Sequence, residues 1–88
     1  MKSVEEVLRE FEEEIKEHNN PWSFLWKGTC QDIINYLSRK PSRKNALRWF
    51  RRRVRHFRDM SLCSLYIQGW VLLTGKPWRE NQDERRIR

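Results

Sequence analysis

The chain has 88 residues, 38% hydrophobic and 35% charged, with 19 basic side chains against 12 acidic ones for a net charge of +7. That length supports one small domain, burying only ~60–65% of the surface its unfolded form exposes. The longest uncharged run, Met60 to Gly75, falls short of the ~20 apolar residues that a membrane-spanning helix needs, and two histidines with two distant cysteines speak against a four-ligand zinc site.

Taken in order, Ser3 and Glu6 stand at the S-x-x-E spacing of a capping box, in which each side chain satisfies a backbone donor of the other residue. Val4, Val7, Leu8, Phe11 and Ile15 then recur at helical spacing, predicting a first helix over 4–18. Its other sides are rich in glutamate, a surface expected to be solvated or to lie beside basic residues elsewhere in the fold. This opening stretch is too charged for the apolar core of a signal peptide. The expected setting is therefore intracellular: cytoplasm and nucleoid, or the nucleus if the host is eukaryotic.

Asn19, Asn20 and Pro21 should end the first helix, since proline restricts the residue before it and cannot donate the helical hydrogen bond. Trp22, Phe24, Leu25 and Trp26 follow, and such large apolar groups are expected to plug the end of the core. Thr29 after Gly28 resembles an N-cap, with Asp32 favouring the helix N-terminus, so a short second helix is predicted over about 29–38. Cys30, Ile33, Ile34 and Leu37 form its apolar stripe. Cys30 and Cys63 are expected as reduced, buried thiols.

Between Arg39 and Arg58 lie eight arginines and two lysines with no acidic residue, whereas the rest of the chain has nine basic against twelve acidic groups, a net −3. The whole positive excess thus comes from one segment. Placed on a wheel, Ala46, Leu47, Phe50, Val54 and Phe57 fill an arc of roughly 100°, the width of a core-facing stripe. Lys44, Arg48, Arg51, Arg52, Arg55 and Arg58 share another side, and Trp49 lies about 60° outside the stripe. Pro41 blocks continuation from the preceding helix and Ser42 caps the new one, giving a basic helix over 42–58. Short helix, polar break and longer basic helix together resemble a helix-turn-helix over about 29–57, in which the second helix lies in the DNA major groove.

From Met60 the composition becomes apolar, and a core helix is expected, capped by Asp59 or Ser61 and stopped by Thr74-Gly75-Lys76-Pro77. Gly69 counts against a helix there by about 1 kcal/mol relative to alanine. The alternative is a winged helix, with residues 62–74 as a β-hairpin turning at Gln68-Gly69. The expected fold is all-α: a compact bundle of about four helices with a helix-turn-helix-like centre. It should form a single helical domain over 1–78, with Trp78 packed back on it and a charged, frayed tail over 79–88.

Guanidinium groups pair bidentately with phosphate oxygens and with guanine, so a helix rich in arginine points to nucleic-acid binding and transcription regulation. Lys44, Arg48, Arg51, Arg52, Arg55 and Arg58 are the expected phosphate contacts, with Arg43, Asn45 and Trp49 nearer the base edges. Duplex DNA is favoured over RNA because an A-form major groove is too deep and narrow for a helix to read directly. Homodimerisation is compatible with this reading. The alternatives are an RNA-binding arginine-rich helix or a protein-interaction adaptor, such as a small viral accessory protein. No catalytic constellation, cofactor motif or small-molecule site is legible, and neither catalysis nor membrane association is expected.

Overall fold

In a computed structural model of the chain, which describes residues 1–17, 24–58, 60 and 62–78, four helices form: α1 (Val4–Glu17), α2 (Phe24–Leu37), α3 (Arg43–His56) and α4 (Cys63–Thr74). The capping box of α1 is present, with Ser3 N–H donating to Glu6 Oε1 at 3.1 Å and Glu6 N–H to Ser3 Oγ at 3.2 Å. Val7 and Phe11 are buried and Val4, Leu8 and Ile15 are partly buried, as the stripe requires. The expected stop at Asn19–Pro21 and the position of Trp22 lie outside the described residues.

Helix α2 differs from its sequence reading. It begins at Phe24, so Thr29 and Asp32 lie in its interior. Thr29 is no N-cap: its hydroxyl donates back to the Leu25 carbonyl at 3.1 Å, the four-residue back-bond that threonine makes within a helix. Gly28 costs the helix about 1 kcal/mol of propensity, a cost that tertiary packing offsets through Trp26, which seats against the core. Phe24 and Leu25 do not plug the core; they are 70% and 59% exposed.

After Leu37 the chain turns through Ser38–Ser42. Lys40 takes a left-handed conformation (φ 55°) and its N–H donates to the Leu37 carbonyl at 3.0 Å. Pro41 then prevents α2 from resuming. Ser42 Oγ accepts from the Asn45 N–H at 3.2 Å and opens α3. The basic helix stops at His56, two residues earlier than expected. There Phe57 N–H bonds the Arg53 carbonyl at 3.0 Å, and the Phe57 ring stacks on Tyr66. Arg58 consequently lies in the turn beyond the helix.

Residues 63–74 form a helix, so the hairpin of a winged helix is not the arrangement adopted. Its N-cap position is Leu62, without a side-chain cap; Asp59 and Ser61 lie outside the described residues. The stop is as read: Gly75 takes the left-handed conformation (φ 68°) and its N–H returns to the Val71 carbonyl at 2.8 Å. Helix α4 is too short to cross a membrane, and no helix among the described residues is long and apolar enough to do so.

Helix α1 packs chiefly on α2 and α3 chiefly on α4, while α4 also meets α1 and α2 and so joins the two pairs. The core is continuous across them, from Val7 and Phe11 through Ile33 and Leu37 to Phe50, Val54, Tyr66 and Leu73. The α3–α4 contact explains why a glycine stands inside α4. A Cβ on residue 69 would lie 2.3 Å from the ring of the fully buried Phe50. Only the absence of a side chain lets the ring enter.

Gly69→Ala therefore places an overpacking cost of about 1–3 kcal/mol against a helix-propensity gain of about 1 kcal/mol. A net loss of up to about 2 kcal/mol is expected, measured by urea or thermal unfolding.

Candidate nucleic-acid interface

Burial of Ala46, Phe50 and Val54 fixes the rotation of α3 about its own axis. Lys44, Asn45, Arg48, Arg52 and Arg55 are then exposed on the outward side, with Arg48, Arg52 and Arg55 along the crest. Two flanks fall away from this crest.

On one flank, α3 and the C-terminal end of α4 border a groove of about 550 Å³ lined by Arg43, Lys44, Arg48, Arg51, Trp70 and Lys76, among others, and, among the described residues, by no acidic side chain. The Arg51 guanidinium sits over the Trp70 ring, 5.9 Å from its centre. On the other flank, Trp49, Arg52, Arg53 and His56 line a shallower hollow of about 320 Å³.

Not every predicted site residue is available to a ligand. Arg43 is half-buried and directs its guanidinium inward, donating to the Leu73 carbonyl and, at 3.4 Å, to the Lys2 carbonyl. A cation there complements the negative end of the α4 dipole and ties the start of α3 to the end of α4. The wheel held this signal, because Arg43 falls at about 100°, in the middle of the apolar arc. An arginine on the core side of a helix must find buried acceptors.

Trp49 is also committed. Its ring stacks on Tyr36 of α2, with centroids 4.2 Å apart and planes 4° from parallel, and Arg53 lies over it at 5.1 Å. The stack joins α2 to α3 across the turn and leaves the indole poorly placed to receive a base. Asp32, read from sequence as a helix-end charge, instead accepts from the Tyr66 hydroxyl at 2.8 Å and pairs with Arg53 Nε at 3.5 Å. Sequence reading missed this Tyr66–Asp32–Arg53 link. The isolated acid of α2 and an arginine about 20° outside the apolar arc of α3 were its only trace.

The interface thus sorts by role. Lys44, Asn45, Arg48, Arg52 and Arg55 are displayed on α3, Arg51 borders the groove against Trp70, and Arg58 is exposed beyond the helix end. Lys76, which sequence reading left out, joins them from the loop after α4. The glutamates of α1 are carried on the other helix pair, where Glu5, Glu6, Glu12, Glu13 and Glu17 are exposed. Among the described residues no cluster of His, Cys, Asp or Glu could hold a metal ion. Comparison with protein-family models, curated proteins and solved structures returns no match.

Two buried groups behind the interface make stability depend on alkaline pH. Neither cysteine is in a disulfide, and burial, aided by the Glu14 charge, raises the Cys30 thiol from 9.0 to about 11. Burial and the hydrogen bond to Asp32 raise Tyr66 as well. The unfolded chain releases the Cys30 proton near pH 9 while the folded chain keeps it to about 11, so the unfolded state binds fewer protons in that window. Unfolding free energy should be at its full value below pH 9 and fall as pH rises towards 11. In Cys30→Ala the fall should begin nearer pH 10, where unfolded tyrosine titrates; denaturant titrations across this range measure both onsets.

Proposed function

We propose that this chain binds nucleic acid, duplex DNA foremost, through the exposed crest of α3, and acts as a regulator by doing so. The carrying observation is that one helix commits Ala46, Phe50 and Val54 to the core and holds Arg48, Arg52 and Arg55 outward in fixed register. A solvated tail could be equally basic without that register. Arginine predominates over lysine in the segment, which suits bidentate pairing with phosphate or guanine.

The order α2, five-residue turn, α3 supports a helix-turn-helix mode, in which residues early in the second helix approach base edges. In that mode Lys44, Asn45 and Arg48 are the base-proximal set, because Arg43 and Trp49 are occupied within the fold. Arg51, Arg52, Arg55 and Arg58 would then meet phosphates. A protein-interaction adaptor is the second reading, favoured by the exposed Phe24 and Leu25 at the start of α2.

Gel-shift titrations on duplex DNA, single strands and hairpin RNA at several salt concentrations separate these readings. Four phosphate contacts predict a slope of log affinity against log salt of about −3.6 on duplex DNA. A slope shallower than about −2 contradicts the proposal, and preference for the hairpin moves it to RNA. The double variant Arg48→Glu/Arg52→Glu changes two exposed side chains. It should weaken duplex binding by about 100-fold or more with its helical circular dichroism unchanged.

A further inference from the structure

The groove between α3 and the end of α4 has a charge that the arginine helix alone does not explain. A helix C-terminus normally presents free carbonyls and a partial negative charge, which would repel a polyanion. Here three of the last four carbonyls are taken. Val71 accepts from the Gly75 N–H, Leu72 from the Lys2 N–H at 3.0 Å, and Leu73 from Arg43. Lys76 is held at the rim by its own main chain: its N–H donates to Thr74 Oγ1 at 3.1 Å, and that hydroxyl donates to the Trp70 carbonyl at 3.0 Å. The Lys76 side chain, itself exposed, thereby joins Lys44, Arg48 and Arg51 around about 550 Å³ of open space that, among the described residues, no acidic group lines.

Resting on the reading of α3 as a DNA-binding helix, we infer that this groove seats the phosphates of one strand bordering the major groove, with Lys76 as a phosphate-binding residue outside α3. The crest of α3 and the loop after α4 then form one footprint, contributed by two elements and kept in fixed relation by Gly69 against Phe50 and by Arg43 on Leu73. The apolar side of the groove, Leu47 and Trp70, sets the arginine and lysine heads against a surface of low polarity, where their attraction for phosphate is less screened than in open solvent.

The test is a salt series with duplex DNA comparing the full chain with Lys76→Glu, Lys76→Gln and Lys16→Glu. Lys16→Glu reverses one exposed charge on α1 and controls for net charge. Lys76→Gln should make the salt slope shallower by about one and Lys76→Glu should lose about 5–10-fold in affinity at moderate salt, with Lys16→Glu within about 2-fold of the parent. If the Lys76 variants behave like Lys16→Glu while the parent binds steeply, the groove is not part of the footprint and the α3 reading stands. If the parent shows no salt-dependent binding, both fall. Retained helical circular dichroism separates loss of contact from loss of fold.

Discussion

Where α3 crosses α4, the Phe50 ring occupies the space that a side chain on residue 69 would fill. The helices approach this closely only because position 69 is glycine, and burying the ring gains about 2–3 kcal/mol by removing apolar area from water. Much else depends on that contact. It fixes the rotation of α3, and with it the direction of every arginine the helix carries. It also brings the first turn of α3 to the last turn of α4, where Arg43 reaches the Leu73 carbonyl and Lys2 reaches Leu72. A glycine that lowers helix propensity is thus retained for what it lets in.

Features whose signal is local were legible before the structure. The capping box at Ser3 and Glu6, the Ser42 cap and the Gly75 stop each depend on a few neighbouring residues, and each forms as read. The apolar arc of α3 was equally clear, since a core stripe repeats over several turns. Features set by distant partners were not legible. Gly28-Thr29 carries the chemistry of a helix start, yet the helix runs through it because Trp26 seats against the core. Phe24 and Leu25 are as apolar as core residues, but the start of α2 leaves them exposed. Arg43 was grouped by its type with the binding residues, although its wheel position already assigned it to the core side.

Charge separation follows the same division between local and distant causes. The glutamates of α1 and the arginines of α3 fall on different helix pairs, so the molecule carries an acidic and a basic region rather than a mixed surface. Opposite charges also meet within the fold. Arg53 reaches Asp32, which Tyr66 also holds, and that link aligns α2 with α3 while the crest of α3 stays cationic. Like charges crowded along a crest repel one another, and that repulsion is relieved when a polyanion binds.

The central claim is that the core holds the α3 cations in one register against a nucleic-acid duplex. Amide chemical-shift mapping during titration with duplex DNA tests it most directly. The account predicts shifts along Lys44, Arg48, Arg52 and Arg55 and in the loop at Lys76, while Phe50 and Val54 keep their environment and α1 is unaffected. Shifts concentrated at Phe24 and Leu25 or along the glutamates of α1, with α3 unmoved, would contradict it.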